Sequence, residues 1–86
     1  GKQAASYLVE VDGQMVTIVA APVRVDSLEF GRRVRKSGQV FWVCRSGHCR
    51  MVSVQIGDHA YVAVGNQASH DQLMDVLTRI SHDAGR

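Results

Sequence analysis

The chain's two cysteines lie in Cys44-Arg45-Ser46-Gly47-His48-Cys49, with a histidine beside the second. Two thiols and an imidazole at this spacing could close a disulfide, hold a soft or borderline metal ion, or pack as small hydrophobes. If Ser46-Gly47 is a two-residue hairpin turn, Arg45 and His48 flank it and Cys44 faces Cys49 one rung further in. That rung is a non-hydrogen-bonded pair, whose Cα atoms come within about 4.5 Å, at the short end of disulfide geometry. The expectation is a Cys44–Cys49 disulfide contributing about 2 kcal/mol by loop closure. Such a bond persists in an oxidising compartment such as a periplasm or the extracellular space. The alternative is a zinc or copper site on Cys44, His48, Cys49 and His59. Against that set, there is a single Cys-x4-Cys pair, and alternation sends His48 to the opposite face from Cys49. The third reading leaves both thiols reduced and half-buried between apolar flanks.

Catalysis by these thiols is not expected. A redox thiolate wants a low pKa, a helix N-terminus and usually Cys-x-x-Cys, whereas these cysteines fall in strand-like runs. A cysteine nucleophile wants a base held by an orienting Asn or Asp, and no such pattern accompanies His48. The other chemical candidate is Arg32-Arg33-Val34-Arg35-Lys36, which with Arg45 and Arg50 could bind phosphate or nucleic acid. The run lacks interleaved aromatics, and Glu10, Asp12, Asp26 and Glu29 offset it. A charged, edge-protecting strand is the plainer reading.

These residues must be positioned by a small domain. The 86 residues suit one domain with a modest core, and 45% apolar with 21% charged residues is ordinary for a globular fold. A net charge of +2 does not by itself call for a polyanionic partner. No apolar run approaches the roughly 20 residues of a membrane helix. Residues 1–5, opening Gly1-Lys2-Gln3, read as a tag remnant or else a disordered lead, and the chain is expected to be a piece excised from a longer protein.

Asp12-Gly13 splits Ser6 to Val11 from Gln14 to Ala20, both rich in β-formers, and predicts a hairpin. Pro22 closes the second run, and Val23 to Gly38 alternates weakly through Val25, Leu28, Phe30 and Val34, which predicts short irregular strands. A three-stranded meander follows over Gln39–Arg45, His48–Ile56 and His59–Gly65, turning at Ser46-Gly47 and Gly57-Asp58. This register pairs Trp42 with Met51 and Met51 with Val64, on the face of the cysteines. Phe41, Val43, Val52, Val54, Tyr61 and Ala63 take the other face. Ser69-His70-Asp71-Gln72 is a capping box, and Leu73, Val76, Leu77 and Ile80 form one helical stripe with Gly85 beyond its end. His70 and His82 read as surface residues at the helix ends. The predicted class is α+β: a mostly antiparallel sheet of five or more strands with one C-terminal helix.

Gly38-Gln39-Val40-Phe41-Trp42, Ala60 to Gly65, and Ser69 to Leu73 together resemble the extracytoplasmic domain of bacterial membrane-anchored anti-sigma factors, over residues 38–80. This chain departs from that pattern in the longer run from His48 to Ile56 and in its cysteines. The resemblance implies a periplasmic sensory or regulatory domain attached to a membrane helix. Taken with the absence of a catalytic constellation, it leads to a non-enzymatic domain, without cofactor or small-molecule substrate, that binds another protein or a second copy of itself. Trp42, Arg45, Arg50 and Met51 are the expected contacts, because aromatic, Met and Arg side chains near an exposed hairpin are what interfaces favour.

Overall fold

The computed structural model describes residues 4–25 and 31–84. Its strands are organised by four two-residue turns. Asp12 and Gly13 both take positive φ, 50° and 79°, as a type I′ turn requires. They fold β1 (Ala5–Val11) onto β2 (Gln14–Ala21), with Val11 opposite Gln14. Ser37 and Gly38, at 54° and 77°, do the same for β3 (Arg32–Lys36) and β4 (Gln39–Ser46). Between β4 and β5 (Cys49–Ile56), and between β5 and β6 (His59–Gly65), only the first central residue is left-handed: Gly47 at 61° and Gly57 at 62°. This is the type II′ pattern, which places glycine first.

All six strands form one antiparallel sheet in the order β1-β2-β6-β5-β4-β3. The meander β3 to β6 thus returns to lie beside β2, and both edges come from the first half of the chain. Helix α1 (His70–Ala84) packs over β5 and β6. Its start is the expected capping box: Gln72 N–H donates to Ser69 Oγ at 3.1 Å, and Ser69 N–H donates to Gln72 Oε1 at 2.8 Å. Gln72 Nε2 also donates to Asp12 Oδ2 at 3.1 Å, tying the helix start to the β1–β2 turn. Leu73, Met74, Val76 and Leu77 are buried against Val16, Ile18, Phe41, Val43, Val52, Val54 and Ala63. Among the described residues no helix is long and apolar enough to cross a membrane.

Helix α1 does not lie on the other face. The connection from β2 to β3 touches that face at both described ends. Val25 N–H donates to Gln55 Oε1 at 2.7 Å, Gln55 Nε2 donates to Val23 O, and Val25 is buried. Gly31, at φ 57°, lies so close to β4 that a Cβ there would overlap Val43 O and stand 2.7 Å from Cys44 Cβ.

The α+β class, the Asp12-Gly13 hairpin, the Gly57-Asp58 turn and the helix start agree with the sequence reading. Two expectations are corrected. Between Val23 and Gly38 the described residues hold one strand, β3; Val25 is a buried residue of the connection, and Leu28 and Phe30 lie outside the described residues. The β4–β5 turn is Gly47-His48 rather than Ser46-Gly47, so Trp42 faces Ser53, Cys44 faces Met51, and Cys49 faces Ser46. The cause is the turn type, since glycine is needed at the first central position and not the second. The Met51–Val64 pair stands as expected.

Candidate functional site

The cysteine hairpin is rearranged by that slip. Moving the turn by one residue shifts each cross-strand partner by two, so Cys44 and Cys49 stay on one face but become diagonal neighbours. Diagonal positions lie about 7–8 Å apart, beyond the usual span of a disulfide. Both are free, half-buried thiols. Burial pushes the Cys44 thiol pKa up, so its nucleophilic thiolate is scarce at neutral pH. The expected Cys44–Cys49 pairing loses the geometry on which it rested.

The proposed ligand set is not brought together either. His48 is exposed in the turn at one end of β5, whereas His59 faces Ile56 at the other end. At about 3.3 Å per residue, the length of β5 separates them by more than about 20 Å. His59 Nδ1 sits 2.8 Å from Asp58 Oδ1. Among the described residues, no three His, Cys, Asp or Glu side chains are grouped to hold a metal ion.

The basic run divides by strand parity. Arg32 and Lys36 point to the helix-bearing face, Arg33 and Arg35 to the other. Lys36 Nζ lies 3.2 Å from Asp75 and 3.4 Å from Asp71, so it joins β3 to the first turns of α1. Arg45 and Arg50 are direct neighbours on the helix-bearing face. Arg50 Nη1 donates to Ala68 O at 3.3 Å and Arg45 Nε to Gly47 O at 3.4 Å. At this end a cleft of about 310 Å³ opens between β3, β4 and α1, lined by Arg32, Val34, Val43, Ser69, His70, Asp71 and Met74. His70 corrects another expectation. It is half-buried, and its Nε2 donates to Cys44 O at 3.1 Å, pinning the helix start to β4.

The four expected contact residues consequently do not form one patch. Trp42 and Met51 lie on the face opposite α1; Arg45 and Arg50 lie on the face that bears it. On the open face, Leu8, Thr17, Val64, Met51 and Cys44 form one row through five strands. A second row runs Ser6, Val19, Val62, Ser53, Trp42 and Arg33. The first row is uncharged. Thr17, Val64, Met51 and Cys44 are half-buried, and Leu8 at its end is 63% exposed. Met15, diagonal to Leu8, is 54% exposed. Sequence reasoning missed Leu8 and Met15 as surface features, because it read the first hairpin for its turn and not for the faces of its strands. The alternation of Leu8 against Val9 and of Met15 against Val16 carries that signal.

Comparison with known proteins returns nothing: no family model, no curated protein and no solved structure matches the chain.

Proposed function

We propose that this domain is a non-enzymatic, protein-binding regulatory module that docks a partner polypeptide on the open face of its sheet. The observation that supports it is the uncharged row from Leu8 to Cys44, on the face that α1 does not cover, continued by exposed Met15. Exposed Met15 and half-buried Trp42 are of the side-chain types that interfaces favour, and both lie on this face, separated by β6 and β5. Trp42 and Met51 keep their proposed contact role. Arg45 and Arg50, on the other face, leave it.

The finer part of the reading is an extracytoplasmic domain of a membrane-anchored regulator of the anti-sigma type. It draws on the resemblance over residues 38–80 and no longer on the cysteines. The residues of the zinc or copper alternative are dispersed over β4, β5 and the two ends of β5, and the basic run of the nucleic-acid alternative is split, Arg32 and Lys36 to one face and Arg33 and Arg35 to the other.

Docking is tested with a photo-crosslinking residue at Met15 in the full-length protein in its own cells. A single cross-linked partner, weakened by Trp42→Ala while the thermal unfolding curve stays unchanged, is the expected result. Cross-linking indifferent to both Trp42→Ala and Met51→Glu sinks the assignment. Compartment is tested separately by fusing an export-dependent phosphatase behind Arg86, where absence of phosphatase activity rejects the extracytoplasmic reading.

A further inference from the structure

β1 and β3 are the two edges of the sheet, and the chain equips them oppositely. In a hairpin with a two-residue loop, the residues flanking the loop are hydrogen-bonded to each other, and bonded and non-bonded rungs alternate from there. On β3 the flanking pair is Lys36 with Gln39, so Lys36, Val34 and Arg32 spend their backbone groups on β4. Arg33 and Arg35 present theirs outward. A cation therefore stands at each outward rung of β3, a device by which edges repel a second strand.

On β1 the flanking pair is Val11 with Gln14, so Ser6, Leu8 and Glu10 turn their N–H and C=O groups away from β2. Ala5-Ser6-Tyr7-Leu8-Val9-Glu10-Val11 contains no Lys, Arg or Pro. Its exposed apolar side chains, Tyr7 at 42% and Leu8 at 63%, sit at the middle of the edge. Glu10, near one end, is the one charge among the outward rungs, and the middle of the strand is unguarded.

We propose that β1 pairs antiparallel with β1 of a second copy of this chain, about a two-fold axis at Leu8, joining two six-stranded sheets into one. The register follows from the residues. With Leu8 opposite Leu8, Ser6 of each copy meets Glu10 of the other, and each of these rungs exchanges two N–H···O=C bonds. Tyr7 then meets Val9, an aromatic and β-branched pair of the kind that stabilises ladders. Sliding the strands by one rung toward Val11 sets Glu10 against Leu8, and by two sets Glu10 against Glu10; sliding by one rung the other way carries Glu10 past the end of the partner strand and loses a hydrogen-bonded rung. Pairing β1 with β3 of another copy would meet an arginine at every outward rung, and it would be a head-to-tail contact that does not close. The isologous β1 contact closes as a dimer.

This inference does not depend on the docking role of Trp42, and the test keeps the two apart. In sedimentation equilibrium the chain is expected at twice its 9.4 kDa mass. Leu8→Lys, which sets two cations face to face at the axis, is expected at the single-chain mass with an unchanged circular dichroism melt. Trp42→Ala stays dimeric. In a Cys44→Ser/Cys49→Ser background, Leu8→Cys is expected to close an intermolecular disulfide, because a hydrogen-bonded pair holds its Cα atoms about 5.5 Å apart. Glu10→Cys, opposite Ser6, does not. A monomeric wild type, a Leu8→Lys chain that still doubles its mass, or cross-linking through Glu10→Cys in place of Leu8→Cys overturns the proposal.

Discussion

Arg45 and Arg50 face each other across the β4–β5 ladder, side by side on the helix-bearing face. Arg32 lies diagonal to Arg45, and the positive end of the α1 dipole is at the same end of the sheet. Each of the paired guanidiniums has a carbonyl acceptor, Ala68 O for Arg50 and Gly47 O for Arg45, but a carbonyl does not neutralise charge. Like charges directly opposite in a ladder are destabilising. Arg45→Glu is therefore expected to stabilise the domain by about 0.5 kcal/mol. The gain should shrink as salt screens the exposed pair. Urea unfolding at low and high ionic strength measures both; a variant less stable than wild type at low salt would show that the pair is not repulsive.

The same ladder sets Cys44 against Met51, at a rung two removed from the flanking pair Ser46–Cys49 and so hydrogen-bonded like it. Cα atoms of such a pair stand about 5.5 Å apart, within disulfide range, whereas the native thiols are diagonal. Met51→Cys combined with Cys49→Ser is expected to form an intramolecular disulfide under mild oxidation. The native pair is expected to keep two alkylatable thiols under the same oxidant. Mass spectrometry after alkylation reads both. Ready oxidation of Cys44 with Cys49, and none in the engineered pair, would restore the Ser46-Gly47 turn and its register.

Gly31 stands where the connection from β2 meets β4, with left-handed φ and no room for a side chain. A methyl group there meets backbone, Val43 O, which cannot rotate away as a side-chain tip could. Gly31→Ala adds backbone strain to a steric overlap and is expected to cost about 3 kcal/mol or more. In a chain of 86 residues that is a large share of a typical stability. Gly38→Ala is the comparison: its φ is also left-handed, at 77°, but its Cβ would meet nothing within 4 Å. The difference between the two unfolding midpoints isolates the overlap from the dihedral strain, and equal midpoints would place β4 further from Gly31.

What could be read from the sequence was what is local. Asp12-Gly13 and Gly57-Asp58 specify turns within a few residues, and the Ser69–Gln72 box specifies a helix start by its own hydrogen bonds. The position of β6 between β2 and β5 is not local: Val62 and Val64 could pair with several apolar strands, and burial of the whole core decides. The Ser46-Gly47-His48 stretch offers glycine to either of two overlapping turns, and the wrong choice moves every rung by two while leaving the faces right. The division of Trp42 and Met51 from Arg45 and Arg50 was available from strand parity alone. Grouping them by nearness to the hairpin hid it.

Lys36 ends β3 and reaches Asp75 and Asp71 on α1, so it is the ionic tie between the guarded edge and the helix. Its pKa is raised, first by the hydrogen bond to Asp75 and further by the attraction of both carboxylates. A lysine whose folded pKa exceeds its unfolded value stabilises the fold fully below the unfolded pKa, near about 10.4, and loses that contribution as pH rises through the folded value. The sensitive window is therefore alkaline. Tyr7 titrates there too, its phenol pushed up by burial and then by Tyr61, with the same sign. Comparison in a Tyr7→Phe background removes it. In that background the urea midpoint is expected to fall with rising alkaline pH when Lys36 is present and to fall less after Lys36→Met. Both chains should be insensitive to pH just above neutrality. Equal alkaline declines would mean that Lys36 is not held by Asp75 and Asp71 in solution, and that β3 is kept in place by its ladder with β4 alone.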